Sequence, residues 1–184
     1  MSSVQTILTM GAFMLLTYAV FNMNRMLGEA DITLAQDRYK LEALSLMNSY
    51  MERATNNNFD EASADTTVTY ELDDSTICVA PGDLGFDSGE TTYDDIDDFD
   101  DFVDLSPYIE IGRSGVEYVM NFKVEYVNLV GGHYVTSGTQ SWNKRMTISI
   151  SDNYDPPLIY KNYSTGIVKD TLTLSFVYSY WYKN

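Results

Sequence analysis

Hydrophobic positions change their spacing twice along the chain, and each change marks an element. From Val4 to Phe21 the sequence VQTILTMGAFMLLTYAVF is apolar on every side, broken only by Gln5, Thr6, Thr9, Gly11 and Thr17, and no charged side chain occurs before Arg25. A helix rising about 1.5 Å per residue carries residues 1 to 24 over roughly 36 Å, enough to cross a bilayer core of about 30 Å. The helical signal then continues in amphipathic form. Leu27, Ala30, Leu34, Leu41, Leu44 and Met51 keep one face, while Glu29, Asp31, Asp37, Arg38, Lys40, Glu42, Glu52 and Arg53 lie largely elsewhere. No proline interrupts before Pro81, and the cluster Asn56, Asn57, Asn58 favours a cap or turn over a helix interior. One helix to about residue 55 would be roughly 80 Å long.

Beyond Ala64 the period falls to two. Val116, Tyr118, Met120, Phe122, Val124 and Tyr126 alternate with polar neighbours, as do Met146, Ile148 and Ile150. Val168, Leu172, Leu174, Phe176, Tyr178, Tyr180 and Tyr182 predict one C-terminal face, and shorter strands are expected at 67–72, 76–80, 108–111 and 158–160. One-sided alternation, with the turn Val130-Gly131-Gly132-His133 and no second helix between strands, predicts antiparallel hairpins. The sheet needs a cover, and the amphipathic half of the helix is the candidate. The expected fold is α+β: a long N-terminal helix over 1–55, apolar over 1–24 and amphipathic over 25–55, packed on an antiparallel sheet within a head at 56–184 that carries an acidic loop at 83–104.

Charge and rare residues narrow the chemistry. Asp and Glu number 27 against 11 Lys and Arg, a net charge of −16 with a pI near 4.1, which disfavours nucleic acid and anionic surfaces as partners. Cys78 is the single cysteine and His133 the single histidine, so an intrachain disulfide and a multi-His zinc site are excluded, and no nucleophile-base pair suggests an enzyme. A cleaved secretory signal would begin with a basic stretch and end at small residues. The apolar run has neither, so it reads as retained.

Three features resemble the type IV pilins and pseudopilins. The order of elements is the pilin one. Met1-Ser2-Ser3-Val4-Gln5 is similar to a mature pilin start, with a polar fifth residue ahead of the apolar run. Tyr93-Asp94-Asp95-Ile96-Asp97-Asp98-Phe99 resembles the D-D-x-D-D-aromatic segment of minor and mannose-sensitive-haemagglutinin-type pilins. The resemblance implies assembly through Met1, Gln5, Gly11, Asn22 and Asn24. In the family a carboxylate at the fifth position neutralises the N-terminal amine of a neighbouring subunit; Gln5 can accept a hydrogen bond from that amine but supplies no charge. Family members often carry proline near position 22, where the helix loses order on assembly. Here Asn22 and Asn24, with Gly11, are the weak helix formers expected to melt. A prepilin peptidase and pilus assembly machinery are the implied partners, and the inner membrane the implied site before assembly.

Between Arg53 and Arg113 there is no Lys or Arg but 17 Asp and Glu, ten of them between Asp83 and Asp104. Two readings stand. Asp94, Asp95, Asp97, Asp98, Asp100 and Asp101 are candidate oxygen ligands for Ca²⁺, though without EF-hand spacing. Alternatively they form a solvated loop pinned by Ile96, Phe99 and Phe102, with a short helical turn that leaves the carboxylates outward. No cofactor is otherwise required. Elsewhere, His133 is expected on the surface, Cys78 as a buried small hydrophobe, and Asn162-Tyr163-Ser164 as a candidate glycosylation sequon.

The function expected is that of a structural subunit of an extracellular, type IV pilus-like helical filament, forming a homopolymer through its N-terminal helix. The alternatives are a minor pilin or secretion pseudopilin, and a membrane-anchored extracytoplasmic binding domain.

Overall fold

The structure, a computed structural model, describes residues 3–60, 75, 78–86, 93–100, 108–164 and 166–180. The chain divides into two compact units, Met1–Tyr39 and Lys40–Asn184. Helix α1 spans Ser3–Asn56 and stops at the asparagine cluster, as the sequence predicts. Among the described residues a 3₁₀ turn follows at Asp97–Phe99, and then seven strands: β1 Tyr108–Ile111, β2 Glu117–Val130, β3 His133–Thr136, β4 Asn143–Asp152, β5 Tyr160–Tyr163, β6 Gly166–Lys169 and β7 Leu172–Ser179. The architecture is α+β, with the helix packed on an antiparallel sheet.

The main sheet has the order β1-β2-β4-β7, and β3 pairs with the far end of β2; β5 and β6 form a separate two-stranded ribbon. Every pairing between these strands is antiparallel. The β2–β3 hairpin turns at Gly131 and Gly132, with φ of 60° and 84°. Two successive left-handed residues make the tight turn whose twist suits a hairpin, and glycine accepts that conformation without steric cost. The single C-terminal face predicted from Val168 to Tyr182 is broken. Asp170 and Thr171 separate β6 from β7, and Val168 is exposed on the ribbon. Positions 158–159 are not strand, since the pairing begins at Tyr160 opposite Lys169. Residues 78–80 are likewise non-strand, while 67–72, 76–77 and Tyr182 lie outside the described residues.

Strict alternation builds the core. In β2, Tyr118, Met120, Phe122, Val124 and Tyr126 are buried, and in β4 Met146, Ile148 and Ile150 lie opposite them at zero exposure. The polar face carries the cross-strand pair Glu125–Arg145, joined by Thr136. The helix meets the sheet through a different face from the leucine-rich one read from the sequence. Ala43, Met47 and Ala54 are fully buried, while Leu41 is 66% and Leu44 39% exposed. Both sides supply bulk at this interface: the Tyr50 ring of the helix lies 5.2 Å from Phe122 and 6.1 Å from Tyr108 of the sheet. Ala43 and Ala54 are the small residues on the buried helix face, where leucines would need extra room.

Glu42 also faces the head instead of solvent. It accepts hydrogen bonds from the Ser114 N–H at 2.7 Å, the Ser114 hydroxyl, and the Tyr118 hydroxyl at 3.0 Å. Gly112 makes room for this contact, because a methyl group there would sit 2.7 Å from Tyr118 and 2.8 Å from the Glu42 carboxyl carbon. A second aromatic cluster closes the other end of the head. Phe59, Cys78, Tyr126 and Trp142 are buried together, with Tyr178 stacked on Phe59 at 5.9 Å and the Tyr180 ring tilted against Trp142 at 4.9 Å.

Candidate functional site

Within the first unit the apolar run is helical and open. Val4, Ile7, Leu8, Phe13, Leu15 and Phe21 are each about two-thirds or more exposed, and the helix is long and apolar enough to cross a membrane. Two of its hydroxyls are satisfied internally. The Thr9 hydroxyl donates to the Gln5 carbonyl at 3.0 Å and the Thr17 hydroxyl to the Phe13 carbonyl at 2.8 Å, which removes the cost of carrying a bare hydroxyl in an apolar setting. Of the candidate assembly residues, Gly11, Asn22 and Asn24 keep helical geometry, and Gln5 lies in the first turns. Met1 lies outside the described residues.

The acidic segment differs from the reading of a solvated loop with its carboxylates turned outward. Ile96 and Phe99 are buried around a 3₁₀ turn, as the three-residue rhythm predicts. The carboxylates of Asp95, Asp97 and Asp98, however, are buried with them rather than turned outward. Asp98 accepts from the backbone N–H groups of Asp94 and Asp95, and Asp95 from those of Asp97 and Asp98, so two aspartates cap the turn that contains them. Asp100 reaches the sheet and accepts from the Val124 N–H at 2.6 Å. The helix terminus clamps the segment from outside: the Asn58 N–H donates to the Asp94 carbonyl at 2.9 Å, and the Asn57 amide to the Tyr93 carbonyl at 3.0 Å. Among the described residues no group of three or more Asp, Glu, His and Cys side chains is placed to hold a metal ion. Of the candidate Ca²⁺ ligands, Asp95, Asp97, Asp98 and Asp100 each accept a hydrogen bond from a different set of donors, Asp94 is exposed, and Asp101 lies outside the described residues.

Asp97 enters a cluster the sequence reading missed. Lys144, on the inward row of β4, is fully buried and donates three hydrogen bonds: to the Phe59 carbonyl at 2.8 Å, to Asp60 at 2.8 Å and to Asp97 at 2.5 Å. Asp60 also accepts from the Val79 N–H at 3.2 Å and the Tyr126 hydroxyl at 3.1 Å. The Phe59 and Tyr126 rings stand 4.8 and 5.3 Å from the ammonium nitrogen. Parity could have revealed the cluster, since Lys144 lies two positions before Met146 and shares its face. A charge on an inward row of a strand demands buried partners.

Burial dominates the electrostatics. It pushes the Asp97 carboxyl above the usual carboxylate range despite the Lys144 ammonium, and burial followed by the Asp97 charge pushes Asp95 up to about 9. Asp95 has one oxygen without a hydrogen-bond partner, so nothing in the protein favours its ionised form at that atom. The folded protein therefore holds a proton on Asp95 that the unfolded chain releases above about pH 4. The associated stability is fully present below that value and is lost as the pH rises toward 9. Asp95→Asn, neutral at every pH, should gain on the wild type as the pH is raised from 5 to 8, by at most about 1.4 kcal/mol per unit. Denaturant midpoints at the two pH values measure this, and an unchanged difference would refute the buried-proton account.

The remaining singled-out residues are simply placed. His133 opens β3 and is exposed; Asn162 is exposed on β5. Cys78 is 5% exposed, and burial followed by the Asp60 charge pushes its thiol up to about 12, away from reactive thiolate.

Comparison with family models, curated proteins and solved structures finds no match for this chain.

Proposed function

We propose that this protein is the structural subunit of an extracellular, type IV pilus-like helical filament, polymerising through its N-terminal helix. One observation carries the reading: a single 54-residue helix contains an 18-residue apolar run with none of its side chains buried, while residues 40–184 possess a complete core of their own. Burial of the run by lipid or by other chains would remove this apolar surface from water. At about 25 cal/mol per Å², covering so much apolar surface is a strong drive to association. Repetition of one heterologous contact that does not close on itself yields an open fibre. The chain's charge of −16 lies almost wholly in residues 40–184, so heads would repel one another sideways, consistent with heads on the outside of a helix-packed centre. Before assembly the same run would hold the subunit in the inner membrane.

The test is to isolate surface filaments from cells producing the chain and to determine the N-terminal mass of their main protein. Abundant fibres of this chain, beginning at Met1 with a free or methylated amine, are expected. Recovery of the chain only from membranes, with no fibre containing it, would overturn the filament reading and favour an anchored extracytoplasmic domain.

A further inference from the structure

The Lys144 cluster has more than the features of an ion pair. An amine and two carboxyl groups meet in a site that water does not reach: the side chains of Lys144 and Asp60 are 0% exposed and that of Asp97 3%. The three come from distant parts of the chain, after the helix, within the 3₁₀ turn and on β4, and each is held by secondary structure or by backbone hydrogen bonds. One cation faces two carboxyl groups without water, so the charge-balanced arrangement has one of them as the neutral acid. Asp60 accepts from the Val79 N–H and the Tyr126 hydroxyl in addition to the ammonium. Among the hydrogen bonds around Asp97, the Lys144 nitrogen touches one carboxyl oxygen at 2.5 Å, which places the carboxyl carbon one bond beyond it.

We infer that Lys144 and Asp97 join in an intramolecular amide bond, with Asp60 placed to take the ammonium proton. The Lys144 ammonium gives one proton to the Asp60 carboxylate. The nitrogen lone pair then attacks the carbonyl carbon of the neutral Asp97 acid, forming the C–N bond. As the tetrahedral centre collapses, the Asp97 hydroxyl leaves with a second nitrogen proton as water, through Asp60 as the shuttle. The nitrogen keeps one hydrogen, Asp60 ends as the neutral acid, and no electron is gained or lost, so the step needs no oxidant, reductant or activating nucleotide. Two physical factors favour it. Fixing the reactants in contact replaces a bimolecular encounter by an intramolecular one, and the product removes the buried opposite charges that the folded chain otherwise carries. The Phe59 and Tyr126 rings on either side of the nitrogen keep out the water that would reverse the reaction. The bond would fasten the acidic segment covalently to the centre of the sheet, where a pulled fibre would otherwise peel it away.

A peptide map of the full-length wild-type chain decides the matter. The detergent-purified protein is denatured, digested with trypsin and chymotrypsin together, and analysed by tandem mass spectrometry. A branched peptide is expected, joining the Asp97 segment to the Lys144 segment, one water lighter than the two separately, with cleavage after Lys144 lost. Quantitative recovery of unlinked Asp97 and Lys144 peptides from folded protein would overturn the proposal, and so would a branch at Asp60. Asp60→Asn, confirmed as folded by circular dichroism, should lower the linked fraction tenfold or more; full linkage in that variant would remove Asp60 from the mechanism. Since the map is read on the wild type, the bond is decided whether or not the variant folds.

Discussion

Lys144→Met should destabilise the head by at least about 3–5 kcal/mol, the range for removing one partner from a buried charge cluster, and by more where Lys144 is joined to Asp97 and the cross-link is lost with it. Before that bond forms, the ammonium group has three N–H donors, and all three are used, on Phe59, Asp60 and Asp97. Methionine fills a similar volume, so the loss is electrostatic rather than a cavity. It strands a backbone carbonyl and two carboxyl groups in a space that water does not enter, and each must find a proton or go unsatisfied. The comparison is Lys123→Met on the polar face of β2, whose ammonium is 68% exposed beside Glu125 at 3.4 Å. An exposed pair of that kind contributes about 0–1 kcal/mol. Guanidinium unfolding of both variants, full length in detergent, measures the contrast. Near-equal stabilities would show that the cluster holds nothing together.

Phe13→Arg, near the centre of the apolar run, should release the chain from membranes and abolish fibres. An arginine at the middle of a membrane-spanning helix costs about 2.5–3.5 kcal/mol, which shifts the partition roughly a hundredfold or more toward the soluble fraction. The same charge buried among packed helices would lack a counter-ion, because no Asp or Glu occurs before Glu29. Ser45→Arg serves as the control. Ser45 is exposed on the helix within the second unit, so its replacement should leave both fractionation and assembly unaltered. Fractionation of cell extracts and microscopy of surface fibres read the two outcomes together. Phe13→Arg protein that still sediments with membranes and still forms fibres would refute a role for the run in either setting.

The two cases differ in how visible they are in the sequence. The apolar run needs no partner within the chain to be recognised, since eighteen positions without charge announce themselves. The β2 and β4 alternations were equally legible, because a half-buried strand imposes its period on every residue. The buried face of the helix was not legible. Ala43, Met47 and Ala54 are weaker hydrophobic signals than Leu41 and Leu44, and the choice between the two faces depends on where Tyr118 and Phe122 project from the sheet. Nor was the role of the acidic segment. Sequence spacing shows carboxylates close together, but whether they face water, a metal or an ammonium is decided by a lysine 47 positions away from Asp97.

The sequence alone thus determined the long helix and where it ends, the β2 and β4 strands and the α+β architecture, because these follow from local periodicity, chain length and capping residues. Only the tertiary structure decided which helix face is buried, that Glu42 and Asp97 point inward, and that Lys144 has two carboxyl partners. These depend on desolvation, which is a property of the surrounding fold and not of any residue or its neighbours in the chain.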